Sequence, residues 1–359
     1  MNRTAQGSSL SDTVYAVDLA KNVFEVHTFG PHGVRRKVER LSRKKFLAKF
    51  TSPDTERGVV VMEACGSSHH WGRQLGSRGY RTQLVPPQFV AQRRVGNKND
   101  GNDADTIYAV YRDPRIRPVP VKTLAQQDLA ALHRTRELLV AQRTQCINQI
   151  RGLLAERGVV ECAGTGGFQA LMKRINQEVL PEVTPSLQHQ VALIHAHVGE
   201  IDAHLKALEC ELDSAYQGSV VAQRVHTIFG VGLITATACA AEYGGGVERF
   251  HDSREFAANI GITPREHSSG DKRHRGTITK RGNAYLRQLL VQCANIILNY
   301  RNRHEDPLCQ LARRLLKAGK RRSVVVVAIA NRLARTIYAV IKHGDAYRMG
   351  EQPACGCAA

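Results

Sequence analysis

The first 120 residues change hydrophobic period several times in quick succession, and that succession constrains the fold more than any other feature. Val14 to Leu19 is a short apolar run interrupted by one charge, Asp18. Val23 to Phe29 alternates apolar and polar residues, GPHG makes a turn, and Val34 to Arg40 is a further, basic strand. Ser42 can cap a short helix from Arg43 to Phe50. Gly58 to Glu63, GVVVME, reads as a buried strand that ends on a carboxylate. Ser67 or Ser68 opens a helix through Leu75, and Tyr80 to Val85 is another strand. The predicted order is strand, strand, strand, helix, strand, helix, strand, helix, an α/β domain that opens on an antiparallel meander.

The last helix of that series follows an unusual stretch, NKNDGNDAD, which sets Asp100, Asp103 and Asp105 in a strongly basic protein. Residues three apart share a helix face, so Asp100 and Asp103 project side by side. Two carboxylates that close raise each other's pKa unless a cation sits between them, and Mg²⁺ prefers such hard oxygen ligands. A solvated helix start is the plainer reading, because aspartate is favoured in a first turn. Asp105 lies off that face and is read as a neighbour, not a ligand.

Charge defines the partner. The net charge is +19, with 20 Lys and Arg against 11 Asp and Glu in residues 1–120. Residues 121–215 carry 9 against 11, and residues 216–359 carry 22 against 10. Two basic lobes flank a near-neutral middle, and nucleic acid is their natural partner. No apolar run reaches the ~18 residues a membrane span needs, and the start lacks the apolar core of a signal peptide, so a cytoplasmic protein with no membrane partner is expected. Nine cysteines without a C-x-x-C pair argue against a disulfide framework and a zinc site.

Leu124 to Gly158 reads as a long helix with Leu132, Leu139, Cys146 and Leu153 every seven residues. Leu187 to Leu212 repeats the pattern, with Leu187, Ile194, Ile201 and Leu208 in one row and Val191, Val198, Leu205 and Leu212 in the other. This is coiled-coil spacing, compatible with a hairpin within the chain and with a dimer or tetramer between chains; self-association is the favoured expectation. Gly230 and Gly232 sit between two helix-like segments, as in helix–hairpin–helix elements or in a simple turn. Beyond them come Ser268, Ser269 and Gly270, then Lys272, Arg273, Arg275, Lys280 and Arg281. An exposed serine beside clustered cations is what attack on a phosphodiester needs, and also what an ordinary phosphate-binding loop needs. Asn283 can cap a helix, and Val324 to Lys342 reads as a closing helix stopped at Gly344.

The order and spacing of Asp18, Glu63, Asp100 and Asp103 resemble the D-E-D-D set of RuvC-type resolvases, which have a ribonuclease H-like fold. YAVDLAK, the ME strand end, K-x-D-x-x-D-A and the serine block together resemble the DEDD transposases of bacterial insertion sequences, the family of the Piv DNA invertase and the bridge-RNA-guided recombinases. The resemblance covers about residues 13–345. It implies a RuvC-like domain at 1–120, a coiled-coil region for oligomerisation at 121–215 and a helical transposase domain at 216–345, while the small-residue stretch at 346–359 reads as a disordered tail. It further implies that the four acids bind Mg²⁺. In the family pattern the nucleophile immediately precedes the glycine, which selects Ser269 for a covalent link to DNA. A structured noncoding guide RNA and a homo-oligomer, with the site completed in trans, are implied as well. The alternatives are a metal-dependent nuclease that uses water, and a non-catalytic nucleic-acid-binding protein.

Overall fold

Val14–Leu19 (β1) is buried on both sides, with Tyr15 and Val17 facing one core and Val14 and Ala16 the other. Only the central strand of a covered sheet needs that pattern. In the computed structural model, Val23–Phe29 (β2) pairs antiparallel with β1, and Arg35–Ser42 (β3) pairs antiparallel with β2. On the other side of β1, Val59–Glu63 (β4) pairs with it in parallel, and Arg81–Val85 (β5) pairs in parallel with β4. The resulting order, β3-β2-β1-β4-β5, and its directions fit a ribonuclease H-like sheet. A Cβ on Gly58 would stand 2.1 Å from the Thr13 carbonyl oxygen, so the close entry of β4 beside β1 requires glycine there.

The structure describes residues 12–93, 100–178, 180–266, 275–302 and 305–347, with only the backbone at 100–102 and 275. Ser268, Ser269, Lys272, Arg273 and the tail from residue 348 lie outside the described residues, as do the side chains of Asp100 and Arg275.

Helices cover both faces of the sheet. Arg43–Thr51 (α1), capped by Ser42 as expected, and Ser68–Gly76 (α2) lie on the first face. There Phe24, Phe46 and Trp71 meet edge to face, with centroids 4.9 to 5.3 Å apart. Pro87–Arg93 (α3) and Asp100–Tyr111 (α4) lie on the second, where Val90, Ile107 and Val110 join Val14, Ala16, Val59 and Val61. Each large apolar side chain so buried contributes about 1.5–3 kcal/mol. Surface ion pairs such as Lys37–Glu39 are screened by solvent and add little, so the two cores hold the domain.

The chain divides into two compact units: Met1–Leu124 with Gly245–Asp252, and Ala125–Gly244 with Ser253–Ala359. The second unit is mostly helical. Leu124–Ala155 (α5) runs into it and Thr165–Gln177 (α6) follows. Pro185–Gln217 (α7) is capped by Thr184. Arg136 pairs with Glu209 and Arg143 with Asp202, so α5 and α7 run antiparallel as a hairpin within the chain. On α7 the predicted seam is buried at Leu187, Val191, Val198, Ile201 and Leu212. On α5 the buried residues are Leu129, His133, Ile150 and Leu154, while Leu132, Leu139, Cys146 and Leu153 are half-buried beside them.

Val220–His226 (α8) and Leu233–Tyr243 (α9) flank the turn at Gly230, whose φ is +82°. Ser253–Ile260 (α10) precedes a two-stranded ribbon of Pro264–Glu266 (β6) and Arg275–Ile278 (β7). Ala284–Tyr300 (α11) is capped by Asn283, and Pro307–Lys317 (α12) by Asp306. Arg322–His343 (α13) ends at Gly344. By length and composition α13 is apolar enough to cross a membrane, an exception to the expectation drawn from the sequence. Its Val325, Ile329, Leu333 and Ile337 are buried within the second unit, and Arg332 and Arg335 interrupt it.

His133 is buried in this unit with Nδ1 3.0 Å from the Tyr285 hydroxyl. Burial, then the nearby Arg136 charge, lowers its pKa from 6.5 to about 4. The unfolded chain therefore takes up this proton first. The stability His133 contributes is intact above pH about 6.5 and is lost as pH falls towards 4, by up to about 3 kcal/mol. Urea unfolding between pH 7 and pH 4 should show a loss that His133→Gln reduces by that amount; equal slopes in both proteins would refute it.

Candidate active site

Side-chain alternation along the strands decides which way the acids face. Asp18 is the penultimate residue of β1, not its middle, and shares the parity of Val14 and Ala16. Glu63 ends β4 and shares the parity of Val59 and Val61. Val17 pairs with Met62 across the parallel ladder, so Asp18 and Glu63 follow together at the carboxyl edge of adjacent strands. Both therefore face the side of the sheet that α4 covers. The strands carry them out of the apolar core, and both are half-buried.

The helix adds the third acid. Asp103 precedes Ile107 and Val110 by one and two turns, so it lies on the same stripe that faces the sheet. It is only 5% exposed. Tyr108 stacks on Phe29 at 3.7 Å, and Phe29 pairs with Val14. Three residues earlier, Asp105 bonds His27, which pairs with Ala16. Each step back along α4 is a step towards the carboxyl end of β1, so its first turn lies over the level of Asp18. Asp100 begins the helix.

The field of these acids is felt by Cys65, in the turn after β4. Burial first, then the negative charges of Glu63 and Asp18, push its thiol up to about 11. Among the described residues no three His, Cys, Asp or Glu side chains are gathered into a ready ligand cluster. What Asp18, Glu63 and Asp103 share is a face and a level. All are hard oxygen donors, one of them nearly buried, and that donor chemistry fits Mg²⁺.

Sequence reasoning missed three residues beside this edge. Glu25 pairs with Asp18 across β1 and β2, on the same face. His27, 1% exposed, places Nδ1 2.7 Å from Asp105 Oδ1 and Nε2 3.0 Å from Glu25 Oε1. Arg35 Nη1 donates to Asp105 Oδ2 at 2.7 Å. Asp105 is thus a partner of His27 and Arg35, in keeping with its reading as a neighbour. The alternation Glu25, His27, Phe29 was the available signal, since it sets all three on one face of β2.

The serine segment belongs to the second unit. Residues 267–274 connect β6 to β7, whose ends pair at Glu266 and Arg275. Gly261 and Gly282 have φ of +80° and +81°, and a Cβ on either would stand within 2.0 Å of a backbone oxygen. Arg287 Nη1 donates to the carbonyls of Ile260 and Arg281. The base of the ribbon is therefore tied to the end of α10, and Lys280 and Arg281 stand exposed upon it.

A family model for DEDD transposases of the IS110 type matches residues 16–157. The model described as transposase IS116/IS110/IS902 family matches residues 222–308. The transposase for insertion sequence element IS1111A of Coxiella burnetii is 35% identical over 338 residues, 94% of this chain and 92% of that protein. The transposase for insertion sequence element IS1328 of Yersinia enterocolitica is 33% identical over 338 residues, 93% of this chain and 98% of that one. Sheet, helical unit and relatives agree on the class, a transposase with a ribonuclease H-like first domain. The chain belongs to the IS110/IS116/IS902 family of insertion-sequence transposases.

The position of Cys65 supplies a check on the acid edge. Its iodoacetamide alkylation should rise with pH towards a midpoint near 11, and Asp18→Asn or Glu63→Gln should lower that midpoint by removing an adjacent negative charge. An unchanged midpoint in both variants would show that these acids do not face the thiol.

Proposed function

We propose that this transposase cuts and rejoins DNA through a covalent serine–DNA intermediate, with Asp18, Glu63, Asp100 and Asp103 holding Mg²⁺. The observation that carries the reading is the common face and level of Asp18, Glu63 and Asp103, which come from three separate elements. Bound there, Mg²⁺ would supply charge neutralisation at the scissile phosphate and its attacking and leaving oxygens. The acids supply the ligands, and burial of Asp103 keeps one of them clear of bulk water.

Ser269 supplies the nucleophile. Its Oγ bonds to phosphorus as one phosphate ester bond to sugar breaks; the hydroxyl loses its proton, and the released sugar oxygen gains one. A hydroxyl of the joining strand reverses the exchange, so no bond energy is lost to hydrolysis. Lys272, Arg273, Arg275, Lys280 and Arg281 neutralise phosphate charge about the serine segment. The net charge of +19 supports a polyanion partner, DNA with a structured guide RNA, gripped by backbone. A homo-oligomer belongs to the same reading, with α5 and α7 paired within each chain.

Incubation with Mg²⁺ and DNA carrying the element ends should give a protein–DNA adduct that survives denaturation. Ser269→Ala should abolish the adduct and Ser268→Ala should leave it. Asp18→Asn or Asp103→Asn should cut the rate by at least about 100-fold while DNA binding persists. Cleavage without any adduct would replace this mechanism by attack of water.

A further inference from the structure

We propose that His27 is a positioning residue of the acid site: it pins α4 to β2 so that Asp103 stays at the level of Asp18. The proposal rests on the reading that these acids hold the metal, and it adds a residue that touches neither metal nor DNA.

The geometry is specific. His27 lies opposite Ala16 on the face of the sheet under α4, two positions before the Asp18–Glu25 pair. Both of its ring nitrogens meet carboxylates, at 2.7 Å from Asp105 and 3.0 Å from Glu25. Contacts at both nitrogens hold the ring plane from two sides, one on α4 and one on β2. Asp105 in turn uses its second oxygen to accept from Arg35 on β3. One residue of α4 is thereby held by two strands, only two positions from Asp103.

Other contacts of α4 with the sheet hold the body of the helix. Ile107, Val110 and the Tyr108–Phe29 stack lie further along the helix, away from the acid edge. They fix the body of α4, and the Asp105 contacts tie it to β2 and β3 nearer its start. At about 1.5 Å rise per residue, Asp103 stands roughly 3 Å beyond Asp105 along the helix axis, so a shift of Asp105 is passed on to Asp103 through the backbone. Burying a histidine between two carboxylates is a poor route to stability, because desolvation offsets much of the attraction. The arrangement makes better sense as a device for holding position, where about 1 Å of error can cost on the order of 100-fold in rate.

The test uses full-length protein and Mn²⁺ as a spectroscopic substitute for Mg²⁺, with bound Mn²⁺ counted by electron paramagnetic resonance. Asp18→Asn and Asp103→Asn should lose tight Mn²⁺ binding, which tests the metal reading by itself. His27→Ala should weaken Mn²⁺ binding at least tenfold with an unchanged circular dichroism spectrum, and His27→Gln, which keeps a donor, should recover part of it. Arg35→Ala removes the other grip on Asp105 from an exposed site and should weaken binding by about threefold. Amide hydrogen exchange at residues 103–108 should speed up in His27→Ala while β4 and α1 keep their protection. Wild-type Mn²⁺ affinity and unchanged exchange in His27→Ala, with Asp103→Asn still defective, would overturn the proposal and leave the metal reading intact. Wild-type Mn²⁺ binding in Asp18→Asn and Asp103→Asn would overturn both.

Discussion

The parallel ladder between β1 and β4 is the constraint on which the rest depends. Parallel strands end on the same edge, so two acids far apart in sequence, Asp18 and Glu63, leave the core side by side. An antiparallel pair in the same register would send them to opposite ends. The close packing of Gly58 against Thr13 fixes where that ladder begins. Two apolar cores then hold the sheet from either face, and the first of them is built on the aromatic cluster of Phe24, Phe46 and Trp71.

The helix over the second core completes the arrangement by running against β1. Its apolar half is spent on packing, at Ile107 and Val110, and its polar start is left over the strand ends. Fold and chemistry are thus separated along one helix: the C-terminal turns stabilise and the first turn carries acids. The cost of setting carboxylates at a half-buried edge falls on a region where the sheet no longer needs apolar contacts. The shifted Cys65 thiol registers that cost, since burial and two neighbouring negative charges act on it together.

Much of this was legible in the sequence because period-2 and period-3.6 patterns are local. The strands at Val14, Val23, Gly58 and Tyr80, the Ser42 and Asn283 caps and the acid order could all be read from short windows. Facing was partly legible: the parity of Asp18 with Val14 and Ala16 is in the sequence, but its level relative to Glu63 depends on a ladder between strands forty residues apart. The alternation of β2 gave the face of His27, but not its carboxylate partner, which only the placing of α4 over β2 supplies. The seven-residue rows of α5 and α7 do not say which helix is the partner, and the salt bridges to Asp202 and Glu209 join the two helices within the same chain. Helix α13 reads as apolar because it is central to a helical core, where the surroundings and not a lipid phase take up its side chains.

The two rims of the main sheet differ from its middle. β3 is almost wholly exposed and carries Arg35, Arg36, Lys37 and Arg40, like charges that would meet like charges if a second copy added a strand there. On the opposite rim, the Val119 amide already donates to Leu84, so β5 is partly capped by the chain's own return. Strand addition is thereby discouraged at both ends of the ladder. Copies of the protein crowded along one DNA are thereby kept from fusing sheet to sheet.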